Sequence, residues 1–271
     1  MNKHAQHAEA VKKIQVNVPF RKLENKYLPL FLEYGLNPEI GIDGQTLDTT
    51  STEEFKRIAE VFKHENRSIT IHGPFMDLVP GGLDNMLLAA TRERLKRFFE
   101  IIPVFEPVHV VCHTGYDQRR YREHWNEWLA NSVVTWTPHV YLAERRGFKL
   151  LLENVYEASP DVHVALFDKI PSHAFGFCLD VGHHHVFGKS PHREWVKTLG
   201  DKILALHLHD NNGKEDSHWA IGKGNVDFKG LFQRVCENGL RPAITLEPHE
   251  EETLWQSLAS EDLKKFIQTV P

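Results

Sequence analysis

Short apolar runs alternate with helix-like stretches eight times along this chain, and no other feature limits its fold as much. The runs are Ile14 to Phe20, Pro38 to Asp43, Ser68 to His72, His109 to His113, Lys149 to Asn154, Phe175 to Asp180, Ile203 to His209 and Ala243 to Glu247. Each has the length of a strand. After them come stretches of helical periodicity: Leu23 to Tyr34, Thr52 to about Asn66, Leu83 to Ile102, Arg122 to Arg146, one opening at Ser159-Pro160-Asp161, His192 to Leu199, Phe228 to Glu237 and Thr253 to Thr269. Local signals punctuate these stretches. Gly35 stops the first, Ser51 or Thr52 caps the second, and Pro138 predicts a break or kink in the longest. Parallel strands need long crossovers, so unbroken alternation predicts a parallel sheet. Eight units in 271 residues predict an α/β fold closed as a (β/α)8 TIM barrel. An open doubly wound sheet would carry a glycine-rich loop after its first strand, and PFRKLEN stands there instead. No linker-like shift in composition interrupts the chain. One barrel domain over residues 1–271 is expected, with residues 1–12 as a polar N-terminal tail.

Composition narrows the function classes. Apolar residues make up 41% and charged residues 25%, an ordinary globular mix, and no run approaches the ~18 apolar residues of a membrane span. The N-terminal MNKHAQHAEAVKK lacks the apolar core of a secretion signal, so a cytoplasmic protein is expected. Cys112, Cys178 and Cys236 are odd in number and far apart, which predicts reduced thiols. A net charge of −5 argues against a broad nucleic-acid footprint, though it leaves room for a local basic cleft. The composition is compatible with a homo-oligomer.

The strand ends carry the chemistry. His72, His113, Glu153 and Asp180 close the third to sixth runs, with His183 just beyond the sixth. His207 and His209 lie on the seventh, and Glu247 closes the eighth. In a parallel barrel all of these ends open on one face. Asp216 and His218 alternate in the following loop and reach the same mouth. A lone strand-end histidine is more often a hydrogen-bonded rim residue than a ligand. Six consecutive strands ending in His, Asp or Glu are hard to obtain by chance. Imidazole and carboxylate donors without cysteine suit Zn, Mn or Fe, as one to three divalent ions. His184 and His185 read as loop surface. Lys189, Lys214 and Lys223 on rim loops, with the backbone N–H groups of Gly222 and Gly224, are candidates for holding a substrate phosphate. Phe75 and Tyr116 could cover a sugar or a base, and Trp219 could wall the pocket or pack beneath its loop.

Several motifs, in order, resemble the xylose-isomerase-like TIM-barrel superfamily, which includes sugar-phosphate isomerases and epimerases and endonuclease IV. They are IHGPF (71–75), CHTG (112–115), LEN (152–154), CLDVGH (178–183), HLHD (207–210), DSHWAIGKGNVDF (216–228) and LEP (246–248). The resemblance spans most of the barrel. It implies Glu153, Asp180, His207 and Glu247 as metal ligands and His183 as a substrate contact or further ligand. His72, His113, Asp216 and His218 match positions that complete a three-metal nuclease site. The text around them, including ENVYE and HLHDNNGKEDSH, is closer to the isomerase branch.

The leading expectation is a divalent-metal-dependent isomerase or epimerase of a sugar, sugar phosphate or polyol. Glu153 and Glu247 would be the proton-transferring pair, with a metal stabilising the enediolate. His183 and His209 would touch substrate hydroxyls, His209 being equally suited to orienting another ligand. An endonuclease IV-like phosphodiesterase is the alternative, and a non-catalytic metal- or sugar-binding barrel the third reading.

Overall fold

The computed structural model describes residues 7–269. Eight parallel strands close into a barrel in sequence order: β1 (Gln15–Pro19), β2 (Asn37–Gly41), β3 (Thr70–His72), β4 (His109–His113), β5 (Lys149–Glu153), β6 (Phe175–Asp180), β7 (Ile203–Leu208) and β8 (Ala243–Leu246). Every pairing is parallel, and the ring closes where Gln15 and Val16 meet Thr245 and Leu246. His209 and Glu247 stand one residue beyond the ends of β7 and β8.

Strand periodicity sorts the side chains. Successive residues of a strand point to opposite faces. Leu150, Leu152, Phe175, Phe177, Leu179, Leu206 and Leu208 therefore join the apolar shell beneath the helices. Their alternates, Val111, Leu151, Cys178 and Ala205, form a separate small cluster inside the barrel. On each strand of that half the inward series runs on to a polar end: Val111 to His113, Leu151 to Glu153, Cys178 to Asp180 and Ala205 to His207. The same alternation that packs the barrel delivers the acids and imidazoles to its mouth.

The helices follow local chemistry. Ser51 and Glu54 form a reciprocal capping box at the start of helix Thr52–His64. Asp84 caps Asn85–Phe105, and Gly35, at a φ of 63°, ends Leu28–Tyr34 in the left-handed conformation. Helix Trp125–Arg146 runs through Pro138. Pro138 lies on the solvent face with Val134 exposed four residues earlier, so water can take the freed carbonyl. Of the expected break or kink, a break is absent: the helix is continuous through this position. Three further expectations are corrected. The stretch after β6 is a helix, Val181–Phe187, with Asp180 accepting from the His183 N–H as its cap, so His184 and His185 lie on helix. Part of the supposed polar tail is a helical turn, Ala8–Val11, that buries Val11; residues 1–6 lie outside the described residues. The last helical stretch is divided at Ser260 into Glu251–Ala259 and Glu261–Thr269. Among the described residues no helix is long and apolar enough to cross a membrane.

Leu150 is fully buried between barrel and helices. Leu150→Ala is expected to cost about 2–5 kcal/mol through lost transfer energy and the cavity left behind. Urea denaturation should show the loss as a lower midpoint, with the far-UV circular dichroism of the folded state unchanged.

Candidate functional site

Glu153 is the hub of the barrel mouth. Its Oε2 lies 3.1 Å from His72 Nε2, 3.5 Å from His113 Nε2 and 3.4 Å from His207 Nδ1. Its Oε1 lies 3.0 Å from His183 Nδ1. No lysine or arginine stands among these partners. Burial pushes the Glu153 carboxyl up, but the imidazoles of His207 and His113 more than offset this and hold it well below the usual carboxylate range.

Two further acids extend the cluster. Asp180 Oδ1 lies 3.2 Å from His209 Nε2 and caps the helix that starts beside it. Asn154 holds the ends of β5 and β6 together, donating to the Asp180 carbonyl and accepting from the Asp180 N–H, each at 2.9 Å. Glu247 Oε1 stands 2.9 Å from His207 Nδ1. Asp216 bridges His183 and His218, at 3.2 Å from each Nε2. Burial would push the His183 imidazole down; Asp180, Asp216 and Glu153 raise it well above its ordinary value.

Several of these contacts are close without being hydrogen bonds. His207 Nδ1, His209 Nδ1, His113 Nε2, Asp180 Oδ2 and Asp216 Oδ1 are buried and lack hydrogen-bond partners. Donor atoms on one tetrahedral ion with bonds of ~2.1 Å are about 3.4 Å apart. The observed 2.9–3.5 Å separations around Glu153 and His207 are of that size. Donors within 4.8 Å of one another form several groups, among them Glu153, Asp180 and His183; His72, His113 and Glu153; and His183, His209, Asp216 and His218. Every strand-end acid and histidine singled out in the sequence is therefore in this one region.

The depth of each residue refines its expected part. His72, His113, Glu153, His183, Asp216, His218 and Glu247 line a cavity of about 1140 Å³ that opens at the mouth. Asp180, His207 and His209 are buried beneath it. His209 stacks on His218 with ring centroids 3.8 Å apart and is buried beneath the cavity, a position that suits the second of its two expected parts, orienting another ligand. It can lie there because residue 182 is glycine: a Cβ on that residue would occupy the His209 ring position.

The groups expected near a substrate phosphate lie outside the cavity lining or are already engaged. Lys189, Lys214 and Lys223 are not in the cavity lining. The N–H groups of Gly222 and Gly224 are already taken, both donating to Asp210 Oδ2 at 2.9 and 2.8 Å. Asp210 Oδ1 accepts from Asn211 and Val226, so one carboxylate ties down the whole loop after β7. Trp219 belongs to this loop, paired through its backbone with Asp210, and does not line the cavity. Tyr116 packs on Trp125 and Trp128, whereas Phe75 stays half exposed at the mouth. His184 donates through Nε2 to the Ser190 carbonyl at 2.8 Å, and His185 pairs with the Asn225 side chain.

One residue of the site escaped the sequence reading. Glu39, mid-strand on β2 and fully buried, accepts from Asn17 (3.0 Å), Thr70 (3.2 Å) and Thr245 (3.1 Å). Its Oε1 lies 3.1 Å from His207 Nε2, which leaves Nδ1 of that ring facing Glu153 and Glu247. An acid inside a strand as short as PEIGID was the available signal, since an interior carboxylate needs partners.

Comparisons with known proteins agree with the fold. Residues 37–268 match a family described as the xylose isomerase-like TIM barrel. The uncharacterised protein MJ1311 of Methanocaldococcus jannaschii is 28% identical over 227 residues, covering 81% of this chain and 77% of its own. Among solved structures, a D-tagatose 3-epimerase-like protein superposes with a TM-score of 0.79 at 26% identity, over 95% of this chain and 98% of its own. The TTHB071 protein of Thermus thermophilus, soaked with ZnCl2, gives 0.77 at 25% identity over 91% and 98%.

Glu157, also buried against the cavity, accepts hydrogen bonds from Thr114 and from the Val155 N–H. Burial nevertheless pushes its carboxyl up to about 7. An unfolded chain releases this proton near the ordinary value, so the folded state binds the excess proton between the two. Its contribution thus weakens stability as pH rises through that window, from 4.5 to about 7. Glu157→Gln removes this dependence. Whatever the fixed cost of the amide, the variant should gain on the wild type by on the order of 2–3 kcal/mol between pH 4.5 and pH 8 in urea melts.

Proposed function

The chain belongs to the xylose isomerase-like TIM-barrel family, and we propose that it is a divalent-metal-dependent isomerase or epimerase acting on a sugar or polyol. The observation that carries this reading is the set of buried, unbonded donor atoms converging around Glu153 and His207. Glu153, Asp180, His207 and Glu247 would hold the ion, and their N and O donors fit Zn, Mn or Fe. When bound, it would supply Lewis-acid charge beside the substrate carbonyl.

The protein's own groups have the remaining work. Glu153 at the end of β5 and Glu247 just beyond β8 both approach His207 Nδ1, so two carboxylates flank one point of the floor. Epimerisation beside a carbonyl needs a proton taken from one face of a carbon and returned to the other, and two carboxylates can divide that task. His183 lines the cavity and is placed to contact a substrate hydroxyl. Glu39 fixes the His207 ring from behind. Similarity to the D-tagatose 3-epimerase-like protein supports a sugar as substrate, and the ZnCl2-soaked relative supports a metal.

One observation favours a second reading. The group formed by His183, His209, Asp216 and His218, with His72 and His113 beside Glu153, offers donors for more than one ion, as a phosphodiesterase of the endonuclease IV type requires. Against it, the cavity lining includes Asp43, Asp77, Glu250 and Glu251, which repel a phosphate backbone.

Metal-loaded protein in D2O should exchange a substrate C–H of a ketose with solvent, followed by NMR. Glu247→Gln should slow the exchange by roughly 10²–10⁴-fold. Absence of exchange across a broad panel of ketoses, with nicking of an abasic-site duplex, would transfer the assignment to the nuclease reading. Absence of both activities would leave a binding barrel. Glu39→Gln should weaken metal affinity by about 10–100-fold in competition titrations, as loss of a carboxylate behind a ligating histidine does.

A further inference from the structure

The space above the floor is larger and more apolar than a bare sugar needs. At about 1140 Å³ it exceeds the usual ~300–1,000 Å³ of small-molecule sites. One wall rises directly from the acid and imidazole cluster. The Phe75 ring lies against His113, centroids 4.4 Å apart and 25° from parallel, and His113 is itself 3.5 Å from Glu153. From Phe75 the lining continues through Met76, Leu78, Val79 and Leu87. Three of these are open to solvent: Phe75 is 45%, Met76 72% and Leu87 61% exposed. Contiguous exposed apolar side chains mark a surface that something covers. Because this wall lines the same cavity as the floor and Phe75 rests on His113, a ligand seated on the floor can extend along it.

The charges of the lining disfavour one kind of cover. Arg119 donates to Asp117 at 2.9 Å and Arg120 lies 4.0 Å from the same carboxylate. Apart from the imidazoles of the floor, Lys22 is the remaining cation of the lining, set against Asp43, Asp77, Glu250 and Glu251. A phosphate or carboxylate tail gains little here. A free ketose, hydroxylated along its length, gains nothing from Met76 and Leu87.

We infer that the substrate is a keto sugar bearing an uncharged apolar substituent, aryl or branched alkyl. Its sugar lies over Glu153 and its substituent along Phe75, Met76 and Leu87. The sugar half of this statement rests on the isomerase reading above; the apolar half rests on the wall.

The test compares two neutral probes, 1-O-benzyl-fructose and 1-O-methyl-fructose, by calorimetric titration of the Mn²⁺-loaded protein, with solvent exchange of a substrate C–H followed by NMR on the same samples. The benzyl ether should bind on the order of tenfold more tightly than the methyl ether. Leu87→Ser, on the solvent-exposed first turn of its helix, should bring that ratio to within about twofold. Equal affinities in the wild type, or no measurable binding of either ether, would overturn the inference. A preserved benzyl preference without exchange of any sugar proton would uphold the apolar wall and overturn the isomerase reading instead.

Discussion

A carboxylate removed from water must find positive charge, and in this barrel the positive charge comes from histidine. Glu153 has four imidazoles around it and, among the described residues, neither lysine nor arginine in contact. A guanidinium would neutralise the acid permanently and occupy its lone pairs. An imidazole can yield its proton and offer a lone pair to a metal in its place. The floor is thus stable enough to fold and still exchangeable in its charge. Glu39, Asp180 and Asp216 repeat the same arrangement around the ring.

Much of this was legible in the order of residues alone. Eight alternations specified the barrel, and on β4 to β7 strand parity sent His113, Glu153, Asp180 and His207 to the same face as the inward residues Val111, Leu151, Cys178 and Ala205. Depth was not legible. His209 and His183 carry the same chemistry in the sequence, yet one is beneath the floor and the other lines the cavity, because Gly182 admits the His209 ring. Glu39 was hidden because it sits inside its strand and not at the end, while its partners Asn17, Thr70, Thr245 and His207 come from four other strands. The helix after β6 was hidden by its composition: VGHHHVF shows little apolar periodicity, and its start is set by the Asp180 cap.

Floor and wall obey different physics. The floor is polar, enclosed and over-supplied with acid, and it selects by charge and lone-pair direction. The wall is apolar and open, and it selects by area removed from water. Phe75 joins them, resting on His113 while half exposed to the cavity. A ligand that reaches only one of the two regions uses only part of what the cavity offers.

Loops at a barrel mouth are ordinarily freer to move than the strands they join, and the one after β7 is long. Here Asp210 gathers the N–H groups of Asn211, Gly222, Gly224 and Val226, and the chain between them carries Asp216 and His218 into the cluster. Its conformational entropy is surrendered when the protein folds, not when a ligand arrives. One carboxylate outside the chemistry therefore lets this quarter of the mouth act as a rigid template, so that binding strength there reflects contacts made and not order imposed.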